Sequence, residues 1–336
     1  MGLIHAAVRG SVRAAERSRN ERRASSAVAV MDGQVMPRQA MIPAEPVDGA
    51  QLLAETATAL AHFAVWPSEA ALITAALWAA QRHARNEKTG LPVWPYSPHL
   101  FITSEEGGSG KSWMARLVAK LAPDGKMLVE ASKASLVRLI AKRATPVVTE
   151  LDVLVGNGGR SKWFTGIANG AYECDQSTWR VDHGKELEIP LMGGFVLDGL
   201  ISVKKSTGAE MNTLMSRCLE ILAVRAPDGY RAPRFDDDAR AAFAHGNQKL
   251  ATWMAQEVRG GIGKVVPEVP RGLGNRPAAL WEPLFVVADA AGGDWPAWAR
   301  QACTELESPG KSEDQGKEDA YQAALSSWAG AGDEDA

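Results

Sequence analysis

Cysteine is scarce in this chain. Three occur, Cys174, Cys218 and Cys303, far apart, with no CxxC pair and no histidine cluster at zinc spacing. Their scarcity speaks against a disulfide framework or a structural zinc and for a reducing, cytoplasmic setting. Long apolar runs are missing too, none reaching the roughly 18 residues of a membrane span, so no membrane partner is expected. Net charge is nearly absent, −3 over 336 residues, but it is unevenly spread. Residues 1–40 carry seven Arg against three acids, and residues 305–336 carry nine acids against two Lys. The body between them is close to neutral. A protein that grips nucleic acid through its general field is basic in its body. This one would need a local patch.

What remains is a composition of 46% hydrophobic and 23% charged residues, ordinary for a globular chain long enough to bury a large core. Residues 1–45 read as a disordered basic head, superficially like a transit peptide. A flexible basic arm and an over-extended start are its other readings, since Met31, Met36 and Met41 follow closely. Residues 308–336 read as a disordered acidic tail.

Between the tails the pattern is periodic. Leu52, Leu53, Ala57, Leu60, Ala61 and Ala64 recur at helical spacing, and "WPSEAALITAALWAAQRHA" restarts a helix with Pro67 near its first turn. Residues 46–96 therefore form an N-terminal helical segment. Short apolar strands near 99–103, 126–130, 145–150, 194–201 and 218–224 then alternate with helices near 111–121, 133–143, 161–172 and 207–216. Such alternation predicts an α/β core over 97–229, with a mostly parallel sheet flanked by helices. "STWRVDHGKELEIP" adds a hairpin turning at residues 182–185. Residues 230–307 are all-helical and read as a lid subdomain.

The most informative stretch is "LFITSEEGGSGKSWMARLVAKL", residues 100–121. An apolar strand leads into a glycine-rich turn, then Gly110-Lys111-Ser112, then an amphipathic helix. This is a near match to the phosphate-loop pattern G-x-x-x-x-G-K-[ST], with Glu105 in place of the first glycine. In such loops backbone N–H groups converge on phosphates in front of a helix N-terminus, and glycines supply the tight turn. Gly107, Gly108, Ser109, Gly110, Lys111 and Ser112 are the candidate nucleotide ligands. Lys111 would reach the β- and γ-phosphates of ATP, and the Ser112 hydroxyl would ligate Mg²⁺. Glu105 and Glu106 are tolerable only if their side chains point out of the loop.

Triphosphate chemistry also needs acids on a second strand. "ATPVVTELDVLV" is the candidate: Glu150 falls where a water-activating acid belongs, but Thr149 occupies the place of the metal-associated Asp. Thr149 acting through water, or Asp152 two residues beyond Glu150, would then organise the metal.

With these motifs in order, residues 70–305 resemble a family of P-loop ATPases of unknown function from phages, mobile elements and their bacterial hosts, often fused to primase-type domains. The resemblance runs through "ALWAAQRHA", "SPHLFITSEEGGSGKS", "TELD", "NGAYECDQSTWR", "LMSRCLEI" and "GLGNRPAALWEPLFVVADAAGGDWPAWARQA". The family commonly lacks the first loop glycine. The resemblance implies a RecA/AAA-like core with a helical lid, and it maps Asn169, Arg180, Arg217, Arg276, Trp281 and Pro283 onto family positions. Arg217 would act as an arginine finger in cis or across a subunit interface, Asn169 would orient water or phosphate, and Arg276 would sense nucleotide from the lid. Lys204 and Lys205 could contact a nucleic-acid backbone, whereas Trp163, Trp179 and the lid tryptophans read as core.

The expected activity is ATP binding and hydrolysis in phage or mobile-element DNA replication. Single-stranded DNA, replication proteins and further copies of the chain are the expected partners. A nucleotide-gated assembly protein with little turnover is the alternative. A small-molecule kinase fits less well, because no acceptor-binding motif stands out between the core strands.

Overall fold

The computed structural model describes residues 47–128, 131–156, 162–182, 184–200 and 209–307. The basic head, the acidic tail, Lys204 and Lys205 lie outside the described residues.

The strand β1 (His99–Ser104), flanked by a neighbour on each side, is buried along its whole length. Its sheet has the order β2 (Gly125–Leu128), β3 (Thr145–Val148), β6 (Val196–Leu200), β1, β7 (Cys218–Leu222). Every neighbouring pair is parallel. A parallel sheet needs crossover helices that cover both faces, so its strands read as apolar runs rather than as alternating ones. The chain is thus α/β, with a five-stranded, all-parallel sheet flanked by helices.

The two faces bury different sets. Leu100, Ile102, Val196 and Ile221 pack with α1 (Gly49–Phe63), α2 (Glu69–Gln81) and α3 (Lys111–Leu121). Phe101, Val148 and Leu197, one residue out of phase, pack with α4 (Lys133–Ala141) and α6 (Lys162–Ala171), while α5 (Leu151–Gly156) joins β3 to α6. α7 (Ala209–Met215) precedes β7.

The segments 46–96 and 230–307, separate on sequence, form one helical body. α8 (Asp237–Gly260), α9 (Asn275–Ala291) and α10 (Trp295–Glu307) join α1 and α2 in a single core. Gly49 lies so close to Trp253 that a Cβ there would run into the indole. Trp295 Nε1 donates to the Ala50 carbonyl at 3.0 Å, and Lys249 pairs with Glu55 at 2.8 Å. Asn247 Nδ2 donates to the carbonyls of Lys120 and Ala122, tying α8 to the end of α3.

A two-stranded hairpin, β4 (Ser177–Asp182) and β5 (Lys185–Pro190), forms a sheet of its own as the sequence predicts. It corrects one expectation. Trp179 is 64% exposed rather than core, because two strands alone leave a face uncovered. Among the described residues, no helix is long and apolar enough to cross a membrane.

Candidate functional site

The site forms at the carboxyl ends of β1, β6 and β3. After Ser104 the chain turns through residues 105–110 and enters α3. Ser104 Oγ donates to the Glu106 carbonyl at 2.7 Å, which fixes the start of the turn. Gly108 (φ +82°) and Gly110 (φ +80°) adopt the left-handed conformation that side chains resist. A Cβ placed at Gly107, Gly108 or Gly110 would meet no atom within 4 Å, so open space lies above the turn. Glu105 and Glu106 are exposed, the condition on which the loop can tolerate them.

Asp48, Ser68, Ser132 and Asp236 each accept an N–H from the first turn of α1, α2, α4 and α8, whereas α9 starts at Gly274 without a side-chain cap. α3 starts at Gly110 with no side-chain cap, so its positive end faces the turn. Lys111 and Ser112 are its first two residues.

Beneath them sits Asp198 of β6, fully buried. Its Oδ1 accepts the Ser112 hydroxyl at 3.0 Å and the Glu150 backbone N–H at 3.4 Å. Its Oδ2 is buried without a hydrogen-bond partner, as is Ser109 Oγ in the turn. Burial pushes the Asp198 carboxyl up from its ordinary value; the Ser112 and Glu150 hydrogen bonds and the Lys111 charge pull it back, and the Glu150 charge adds to the rise. Sequence reasoning missed this residue. The available signal was a single acid inside the apolar run "FVLDGL".

Glu150 is exposed and holds φ +55°, a strained conformation for a residue with a Cβ. Asp152 is adjacent, but its Oδ1 is committed to the Leu200 backbone N–H at 3.0 Å, where it joins α5 to the end of β6. Among the described residues, no group of three or more His, Cys, Asp or Glu could hold a metal ion. A cation here would draw on a hydroxyl, one or two carboxylates, water and the ligand itself. That is how Mg²⁺ is bound beside phosphates. The residues present therefore fit an anionic ligand with its cation: an open turn, a helix N-terminus, an ammonium group and two buried oxygens still lacking partners.

Three further candidates are brought together, but at the amino-terminal end of the strands. Cys218, following Arg217, is level with His99 at the start of β1, roughly 17 Å along the strand from the turn. Arg217 donates to the Thr213 carbonyl at 3.0 Å, pairs with Glu173 at 3.4 Å and lies over the Tyr172 ring. Arg276 lies over the same ring, 5.5 Å from its centre. Asn169 follows Ala168, whose carbonyl faces His99 Nε2 at 2.9 Å. Arg217, Asn169 and Arg276 thus gather around Tyr172 and the start of β1, away from the glycine-rich turn.

Residues 223–325 match a family described as "Protein of unknown function (DUF3631)". The match starts just beyond β7 and takes in α8, α9 and α10, so it covers helices of the helical body and not the glycine-rich turn. A curated relative from Saccharopolyspora erythraea, "Uncharacterized 28.9 kDa protein in xis 5'region", is 40% identical over 93 residues. That stretch is 27% of this chain and 34% of the relative, so the chain spans about a third of the relative's length.

Proposed function

We propose that the turn 105–110 and the start of α3 bind ATP with Mg²⁺, and that the protein hydrolyses it in the cytoplasm as part of phage or mobile-element DNA replication. One observation carries the reading. An uncapped helix N-terminus, with Lys111 and Ser112 at its head, faces an open glycine turn above a buried carboxylate. Backbone N–H groups of the turn and of the first helical turn take the phosphate oxygens, and the Lys111 ammonium balances charge at the terminal phosphates. Ser112 and a nearby carboxylate would hold Mg²⁺, which when bound neutralises charge on the phosphate oxygens. Glu150, held at the end of β3, takes the proton of the attacking water. Arg217 serves catalysis only if it reaches the site of a neighbouring copy.

A DNA partner has a candidate surface. A groove between α4 and β4 is lined by Trp179, Lys133, Arg138 and Arg180, which combines an exposed indole for base stacking with cations for phosphates. The replication setting itself rests on the family resemblance. Thr149 favours the second reading, a nucleotide-gated assembly switch with little turnover.

Phosphate release and ATP binding, each with and without single-stranded DNA, separate the two. Turnover that Lys111→Ala abolishes and DNA stimulates supports the motor. Tight binding without turnover supports the switch, and no nucleotide binding sinks both.

A further inference from the structure

The acid missing at Thr149 leaves the proposed metal without its usual carboxylate on β3. We infer that Asp198, one strand closer to the turn, takes that role, so that Ser112 and Asp198 form the protein's side of the magnesium site. The inference rests on the nucleotide-binding reading above and names the carboxylate that serves the metal there.

Strand order is the first argument. β6 lies between β1 and β3 and pairs directly with β1, Ile102 opposite Asp198. On its other side Val148 is opposite Leu197, so one further step along the register makes Thr149 level with Asp198. The two positions differ by one inter-strand spacing, about 4.8 Å, and Asp198 is on the side of the turn.

Hydrogen bonding is the second. The Ser112 hydroxyl is bonded to Asp198. Thr149 offers only a neutral hydroxyl, and Asp152 already holds the Leu200 N–H. The Glu150 N–H also binds Asp198, so the two carboxylates the chemistry needs stay adjacent although they belong to different strands.

Satisfaction is the third. Asp198 Oδ2 is fully buried with no hydrogen-bond partner, and an unpaired carboxylate oxygen is costly to keep in a folded protein. A cation bound at that oxygen removes the cost.

The test uses the full chain, a fluorescent ATP analogue, and buffers with EDTA or with Mg²⁺. Thermal melts with ADP, with and without Mg²⁺, give a second readout independent of turnover. In the wild type Mg²⁺ should tighten nucleotide binding by about tenfold or more. Asp198→Asn should bind at least as tightly as wild type in EDTA, since a negative charge near the phosphates is gone. It should gain less than about twofold from Mg²⁺ and lose the Mg²⁺-dependent rise in melting temperature. Ser112→Ala, which leaves the packed strand intact, should show the same loss if Asp198→Asn fails to fold. An undiminished Mg²⁺ gain in the variants, or a gain lost in Asp152→Asn instead, overturns the inference. A wild type that binds nucleotide with no Mg²⁺ gain overturns the inference alone. One that binds no nucleotide in either buffer overturns the nucleotide reading and this inference with it.

Discussion

Mild acid should loosen the strand that carries the site, through His99. This first residue of β1 is fully buried, with Nδ1 accepting the Phe195 N–H at 2.9 Å and Nε2 facing the Ala168 carbonyl at 2.9 Å. Because Phe195 donates into Nδ1, the ring is neutral and its proton is on Nε2; a second proton would oppose one N–H to another. Burial depresses its pKa from 6.5 to about 4, and the charges of Arg82 and Arg217 add to the shift. His83, whose Nε2 faces the Leu121 carbonyl, is depressed by burial to about 3. Both native values lie below that of the unfolded chain. The associated stability is intact above about pH 6.5, declines as the unfolded histidines take up protons, and continues to fall until the native pKa is reached. At pH 5 the loss is about 2 kcal/mol for each ring, or about 4 kcal/mol together, against a typical total of roughly 5–15 kcal/mol. Asp198 opposes part of this, since an acid with a raised pKa is relieved by protonation. Urea titrations followed by tryptophan fluorescence at pH 7.5 and 5.0 would measure the drop. In His99→Gln the drop should shrink by about 2 kcal/mol, whatever the variant's stability at neutral pH. An identical drop in wild type and His99→Gln, or an imidazole that titrates near 6.5 by NMR, would refute the reasoning.

Backbone geometry supplies three more expectations. Glu150→Gly should be more stable than Glu150→Ala by about 1 kcal/mol in thermal melts, because only glycine relaxes at φ +55°. Both variants should lose phosphate release, so equal stabilities would count against strain at this position. A Cβ at Gly125 would overlap the Ala119 carbonyl, so Gly125→Ala should cost about 3 kcal/mol as β2 is pushed off α3. Gly166→Ala, exposed inside α6 with open space around it, should instead stabilise by about 0.5–1 kcal/mol in the same denaturation assay.

The strands and the longer helices were legible in the sequence, but not the short α5, which begins at Leu151 where the apolar strand pattern runs on. β1, the turn and α3 can be read directly from "LFITSEEGGSGKSWMARLVAKL", because strand, glycines and amphipathic helix each carry a local signal. The strand containing Asp198 was also legible, but not the importance of its acid. That depends on β6 lying beside β1, and pairing order is a property of the whole sheet. For the same reason Thr149 looks like a missing group when β3 is read alone. Arg217 and Arg276 have chemistry suited to phosphates, yet parallel register sets Arg217 at the amino-terminal end of the strands, and Arg276 of α9 joins it over Tyr172. Trp179 shows the reverse error: a large apolar residue reads as core, and only a hairpin forming its own sheet leaves it in solvent.

The shared core of the two helical segments bears on how this chain is made. α1 and α2 leave the ribosome well before α10, with Leu53, Leu60, Leu77 and Trp78 destined for complete burial. Their partners in α10 begin only at Trp295, more than two hundred residues after Gln81 closes α2. At about 5–20 residues per second, the part of that surface that α10 covers waits roughly 10–40 s of synthesis for its partner. Production of this protein in a foreign host should therefore depend on chaperones that shield nascent helices. Slower translation would lengthen the period of exposure and lower the soluble yield.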